Sequence, residues 1–246
     1  MRLADLRERV PRVMGADGIV LLATLLTLLT VGLGFIALSD EVREQDTQHL
    51  DERVLLSLRR ADSPQVPIGP PWLAEVARDV TALGSVSVLT LAVGAVGGFL
   101  VLVRRWRTLA LVVGSTVGGA LVNSLLKSLF ARPRPTVVPH LTGVLTESFP
   151  SGHAMLSAIV YLTLGALLAQ LTERRRLKAY LMGVALLLTL LIGLTRVYLG
   201  VHYPTDVVGG WMAGLAWALL TALVARGVKR HSPALREESR GRTAPP

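Results

Sequence analysis

The sequence predicts an all-α fold, an integral membrane bundle of six transmembrane helices. Three observations predict it. The 246 residues are 51% hydrophobic and only 17% charged, with a mean hydropathy of +0.52, whereas ordinary globular chains carry roughly 25% charged residues. The apolar residues fall in long runs almost free of charge. Lys and Arg concentrate in alternate connections between those runs. A disordered chain is excluded, and a soluble globular enzyme does not fit. There is no cysteine, which rules out disulfides, thiolate chemistry and cysteine metal sites.

A spanning helix needs about 20 mostly apolar residues. Six segments meet or approach this: Gly18 to Leu38, Val80 to Val103, Thr108 to Leu126, Ala154 to Thr172, Ala179 to Thr195 and Val207 to Ala225. The fifth is short, but Lys178 and Arg196 at its ends can snorkel toward the interfaces. Backbone polar groups in lipid must be paired internally, which leaves helices or a closed barrel. Barrel strands alternate apolar and polar residues, and these runs are continuously apolar. The first run could also be a secretory signal. Its apolar stretch exceeds the roughly 7–15 residues of a signal core, so an uncleaved first span is the preferred reading.

Arg2, Arg7, Arg9 and Arg12 precede the first span, Arg104, Arg105 and Arg107 follow the second, Arg174, Arg175, Arg176 and Lys178 follow the fourth, and six further basic residues follow the sixth. With six spans all four groups lie on one side, which the positive-inside rule makes the cytoplasm. The net charge of +9 is thereby explained by topology and anionic lipid head groups, without nucleic acid. The organisation expected is a basic cytoplasmic segment (1–17), a first transmembrane helix (18–39), an extracytoplasmic amphipathic connector (40–79), a core with five transmembrane helices (80–226) and a basic, disordered cytoplasmic tail (227–246). Within the connector, Val42, Leu50, Val54, Leu55 and Leu58 suggest a partly amphipathic helix, either lying at the interface or simply solvated. A second short helix is expected from Pro71 toward Leu83, with Trp72 as an interfacial anchor.

Against this background one set of polar residues gathers at the extracytoplasmic face: Lys127, Arg132 and Arg134 after the third span, Ser151, Gly152 and His153 before the fourth, Arg196 at the end of the fifth, and His202 and Asp206 before the sixth. Each alone could be a head-group anchor or loop charge. Two histidines and an aspartate do not help anchoring, so the set reads as functional. Lys127, Arg134 and Arg196 supply three positive charges, and guanidinium forks suit phosphate oxygens. Ser151-Gly152 puts backbone N–H groups at a helix start, an anion site. His202 and Asp206, four apart, share a face of a helical turn, with Pro204 suited to the helix start. Asp206 can then fix the His202 tautomer and leave the other ring nitrogen free as a nucleophile. His153 can donate a proton to a leaving oxygen. The alternative, a zinc site of two His and one Asp, suffers from the repulsion of three adjacent cations. No metal and no cofactor are expected.

Three blocks carry a resemblance: Lys127-Ser-Leu-Phe-Ala-Arg-Pro-Arg134-Pro135, Pro150-Ser151-Gly152-His153, and Arg196-Val-Tyr-Leu-Gly-Val-His202-Tyr-Pro-Thr-Asp206. In this order and between these spans they resemble the signature of the type-2 phosphatidic acid phosphatase family, related to vanadium haloperoxidases. The resemblance covers roughly Leu83 to Ala225. It implies phosphate binding by Lys127, Arg134, Ser151, Gly152 and Arg196, a general acid at His153, a nucleophile at His202 that forms a phosphohistidine, and an orienting carboxylate at Asp206. Where the family usually has Ser before the third-block Arg, this chain has Thr195, which keeps the hydroxyl. Arg132 lies outside the pattern and is expected as a supplementary phosphate or head-group contact.

The resemblance implies a metal-independent lipid phosphatase of the bacterial plasma membrane. Its partners would be a lipid phosphate or diphosphate and the surrounding membrane lipids; oligomeric state is left open. Undecaprenyl diphosphate is the first substrate expected by family analogy, followed by phosphatidate, phosphatidylglycerophosphate or diacylglycerol pyrophosphate. A non-catalytic lipid transporter or scaffold is the alternative of another class, and it would not need His153, His202 and Asp206 together. Vanadate-dependent halide oxidation ranks lower, because its known members are soluble in character.

Overall fold

The computed structural model describes residues 15–144 and 146–231. Residues 1–14, and 232–246 of the expected tail, lie outside the described residues. Eight helices and one short hairpin follow in order: α1 (Ala16–Glu44), α2 (Gln48–Ser57), β1 (Arg59–Arg60), β2 (Ser63–Pro67), α3 (Pro71–Ala82), α4 (Val86–Leu102), α5 (Trp106–Phe130), α6 (Gly152–Ala169), α7 (Arg175–Tyr198) and α8 (Pro204–His231). Helices α1, α5, α6, α7 and α8 are each long and apolar enough to cross a membrane, and the bent pair α3–α4 makes a sixth span if counted as one. Leu25, Leu26, Leu29, Leu33 and Ile36 of α1 and Leu121, Leu125 and Leu129 of α5 face outward. Such apolar exteriors are what lipid, and not water, accommodates.

Helix α6 is central and packs most extensively on α7 and α8. Its residues Ala154, Met155, Ala158, Ile159 and Val160 are buried. The α6–α8 contact is backbone against backbone. A Cβ at Gly210 would lie 2.6 Å from the Ser151 carbonyl oxygen, and one at Gly214 2.6 Å from that of Met155. Small residues permit such close helix approach in membranes. Here they bring the start of α8, with Asp206, against the start of α6, with Ser151. Helix α8 is also pinned sideways. The Trp211 indole N–H donates to the Thr189 carbonyl of α7 (3.0 Å), and that of Trp217 to the Ser115 carbonyl of α5 (2.8 Å).

Three sequence expectations need correction. The second span, expected to run unbroken from Val80 to Val103, is interrupted at Leu83-Gly84-Ser85, and α3 and α4 meet at a 44° bend. Ser85 caps α4 by accepting from the Val88 N–H (3.3 Å), and a side chain on Gly84 would collide with Ile192 of α7. The capping hydroxyl and the tight contact favour a new start over a continuous helix. The first helix does not end near 39 but runs to Glu44. Its last charged turns keep their backbone bonds within the helix and extend past the apolar layer. The buried face of the connector helix differs from the one expected: Leu55 is fully buried, but so is Asp51, while Leu50 is exposed. The β1–β2 hairpin, antiparallel and irregular in register, carries no alternating apolar signal in the sequence.

Candidate functional site

The site forms where the end of α5, the 131–151 connection, the start of α6, the end of α7 and the start of α8 converge. Lys127 occupies the last turn of α5 and is buried. Its ammonium donates to the Glu147 carbonyl, which also accepts from Arg134 Nη2 at 3.3 Å. One carbonyl thus joins the two cations of the first block. Arg134 is further held by the Thr146 and Val201 carbonyls, both at 2.6 Å, and its Nη1 lies 3.2 Å from His202 Nε2.

Helix α6 opens at Gly152, so its first-turn N–H groups have no partner within the helix. A Cβ at Gly152 would lie 3.3 Å from the Asn123 amide nitrogen and 3.7 Å from Lys127 Cε, so glycine keeps the close approach of this helix start to the end of α5 free of crowding. The Ser151 N–H is already committed, donating to the Asp206 carbonyl (2.9 Å), which removes it from the anion-binding set expected there. The Ser151 hydroxyl, in contrast, is buried without a partner among the described residues, as are Asn123 Oδ1 and Arg196 Nε. Arg196, 4% exposed, makes one side-chain bond, from Nη1 to the Thr81 hydroxyl of α3 (3.3 Å). Buried polar groups of native proteins are nearly always satisfied. These orphaned groups, beside the start of α6 and the end of α7, leave hydrogen-bonding capacity that a polar ligand can take up. His153, in the first turn of α6, lies within electrostatic reach of Arg196, His202, Arg134 and Lys127.

His202 reaches the site through Gly200, whose φ of +73° and whose contacts with Arg59 and the Pro139 carbonyl exclude a side chain. The ring is 1% exposed. Its Nδ1 faces Asp206 Oδ2 at 3.3 Å, and its Nε2 faces Arg134. The proton belongs on Nδ1, because only there does it meet an acceptor, and the Nε2 lone pair points into the cationic pocket. Burial pushes the imidazole well below the usual histidine range, Asp206 opposes this, and Arg134 and Arg196 reinforce it. The ring is therefore neutral near pH 7, the state required of a nitrogen nucleophile.

Asp206, fully buried, accepts from four donors: His202, Arg132 Nη1 at 2.8 Å, the Ser148 hydroxyl at 2.5 Å and the Tyr203 N–H at 2.9 Å. Ser148 is a contact that the sequence reading missed. It lies two residues before the Pro150-Ser151-Gly152-His153 block and has no motif of its own. Arg132 is a correction. Instead of facing the phosphate side it is turned inward, 8% exposed, onto Asp206 and Asp51. Two carboxylates at 2.8–2.9 Å outcompete a distant ligand for one guanidinium. The Thr195 hydroxyl is spent on the Ile192 carbonyl of its own helix (2.7 Å). Among the described residues no group of three His, Asp or Glu converges as a metal cage.

The eight motif residues thus converge at one end of the bundle, with a neutral imidazole nitrogen set among three cations and a helix start. Such a constellation can attack phosphorus and stabilise the charge on its oxygens. The comparisons with known proteins agree with that chemistry. The model of the PAP2 superfamily matches residues 107–230. Phosphatidylglycerophosphatase B of Bacillus subtilis is 33% identical over 205 residues, 80% of this chain and 94% of that protein. An undecaprenyl-diphosphatase of Sulfolobus acidocaldarius is 30% identical over 125 residues, 48% of this chain and 56% of the relative. The crystal structure of a transmembrane PAP2-type phosphatidylglycerolphosphate phosphatase from Bacillus subtilis superposes with a TM-score of 0.75 at 30% identity, covering 84% of this chain and 99% of that one. With half the chain inside the family model and a full-length relative at one-third identity, this membrane protein belongs to the PAP2 superfamily and is a lipid phosphatase of that family.

Proposed function

We propose that this phosphatase works through a phosphohistidine on His202 and without a metal ion. The observation that carries the reading is His202 itself, held by Asp206 at Nδ1 and presenting Nε2 to Arg134. In the first half-reaction Nε2 attacks phosphorus, the bond from phosphorus to the lipid oxygen breaks, and His153 gives its proton to that oxygen. In the second, water attacks the phosphohistidine, His153 takes a proton from it, and inorganic phosphate leaves as His202 is regenerated. Lys127, Arg134 and Arg196, with the Ser151 hydroxyl and the Gly152 N–H, stabilise the phosphoryl oxygens throughout.

Phosphatidylglycerophosphate is the leading substrate, because the relative matched over nearly its whole length carries that activity in its name. This reverses the order that the motif resemblance suggests. Undecaprenyl diphosphate is the second reading, supported by the diphosphatase relative matched over about half of this chain. The test is phosphate release from both lipids, and from phosphatidate, by the purified protein in detergent with and without EDTA. Activity should persist with EDTA, since the protein's own cations supply the positive charge. Orthovanadate should inhibit, because it adopts the five-coordinate geometry of the transferring phosphoryl group. Activity lost to EDTA and restored by zinc or magnesium would overturn the metal-free mechanism.

The pocket is assigned to the extracytoplasmic face on the positions of Lys and Arg. Thr136, on the connection before α6, and Arg175, at the start of α7, are both exposed and are assigned to opposite faces. With no native cysteine to interfere, Thr136→Cys should react with an impermeant maleimide on intact cells, and Arg175→Cys only after lysis. Labelling of Arg175→Cys from outside would reverse the orientation.

A further inference from the structure

The connector helix α2 reaches the site through Asp51, which lies outside the stretch matched by the family model. Asp51 is fully buried. Its Oδ2 accepts from Arg132 Nη2 (2.9 Å) and from the Thr205 hydroxyl (2.5 Å), and its Oδ1 from the Thr205 N–H (3.1 Å). Arg132 Nη1 in turn holds Asp206 Oδ1 (2.8 Å) and touches the Thr205 hydroxyl (2.9 Å). The Tyr203 ring lies 4.3 Å from the Arg132 guanidinium carbon, and Gln48, also on α2, bonds both Arg132 and the Tyr203 hydroxyl. Asp51, Arg132 and Asp206 therefore form one continuous buried charge network directly behind His202.

The arrangement has two consequences for the nucleophile. Arg132 takes Asp206 Oδ1, so the carboxylate plane is fixed and Oδ2 is the atom presented to His202. An Arg132–Asp206 pair alone would be neutral and would offer little attraction to an imidazole that becomes positive as it attacks phosphorus. Asp51 restores one net negative charge to the buried cluster. In a low-dielectric interior that charge acts strongly on a ring one contact away.

We infer that Asp51 and Arg132 are positioning residues of the phosphatase: Arg132 acts through Asp206 to orient His202, and Asp51 offsets the Arg132 charge so that the cluster stays net negative beside the positive charge that His202 acquires on attack. The inference rests on the phosphohistidine reading above. Neither residue touches the phosphate-binding groups, so their effect falls on the chemical step rather than on substrate capture. His202 faces Asp206 and Ser148 on one side, and Arg134, Arg196 and His153 on the other. None of these residues is itself replaced in the variants below.

The test uses the full-length protein in detergent micelles. Asp51→Asn keeps the side-chain shape but removes one negative charge. It should lower kcat about 10–100-fold, by analogy with the scale seen when outer-shell partners of metal-ligating histidines are removed. KM should stay within about threefold by the same division of roles between binding and chemistry. Arg132→Gln removes the opposing positive charge. The acid limb of kcat/KM should then move to lower pH in Asp51→Asn and to higher pH in Arg132→Gln, because loss of a nearby negative charge disfavours protonated His202 and loss of a positive charge favours it. A purely structural role predicts no such opposite movement. Asp51→Glu and Arg132→Lys keep the charges and should recover part of kcat, and they serve if the neutral variants fail to fold. Wild-type kcat in a folded Asp51→Asn variant, or acid limbs shifting in the same direction, would overturn the inference. If the wild-type enzyme itself forms no phosphohistidine, it is the phosphohistidine reading that fails.

Discussion

His202→Ala should form no phosphoenzyme and should lose turnover by roughly 10⁴-fold or more, the scale reached when a covalent nucleophile is removed. The loss should appear in kcat with little change in substrate affinity, because the groups proposed to bind the phosphate, Lys127, Arg134, Arg196 and the start of α6, are not altered. Misfolding is not the expected cause. In the variant Asp206 keeps Arg132, the Ser148 hydroxyl and the Tyr203 N–H, so no buried charge is left unpaired. The measurement is single turnover with a phosphorus-labelled lipid, quenched in alkaline detergent, followed by detection of base-stable, acid-labile phosphate on the protein. Phosphate still accumulating on the protein without His202 would place the nucleophile elsewhere.

His153→Ala should slow the first half-reaction by about 10²–10⁴-fold, the usual contribution of a general acid. The size should depend on the substrate. A monoester such as phosphatidate releases an alkoxide, a strong base that needs the proton as the bond breaks. A diphosphate releases a lipid phosphate, a weak base that departs more readily without help. The penalty should therefore be larger for phosphatidate and phosphatidylglycerophosphate than for undecaprenyl diphosphate. The cationic surroundings make this histidine dependent on its substrate. Arg196, Arg134 and Lys127 all face it, and the start of α6 adds the positive end of a helix dipole. A bound phosphate supplies the negative charge that favours the protonated ring. A greater loss for the diphosphate than for the monoesters would contradict the assignment of His153 as the acid.

The helices themselves were legible in the sequence because lipid leaves an apolar segment few conformations. A charge-free run of sufficient length pairs its backbone internally or not at all, so α1, α5, α6, α7 and α8 follow from composition and length. The ends were less legible. Helices α1, α7 and α8 run past their apolar runs into charged residues, since the polarity that marks the edge of a span does not stop a helix. The break between α3 and α4 depends on Gly84 meeting Ile192 of α7, a contact 108 positions away in number and invisible to any local pattern.

For the site, the sequence by itself determined which chemistry-bearing residues exist and that three segments must supply them. Lys127, Arg134, Ser151, Gly152, His153, Arg196, His202 and Asp206 stand out because charged and titratable groups are rare in such a chain, and rarity next to apolar spans is a local signal. Only the tertiary structure decided what surrounds them. Ser148 and Asp51 are ordinary polar residues in ordinary connections, and the hydroxyl of one and the carboxylate of the other acquire meaning only when packing seals them beside Asp206 and Arg132. Arg132 shows the same division most clearly. Its position in sequence, between Lys127 and Arg134, suggested another phosphate contact. Two buried carboxylates turned it inward, because a guanidinium in a low-dielectric interior goes to the nearest fixed negative charges, and those come from a helix the motif does not include.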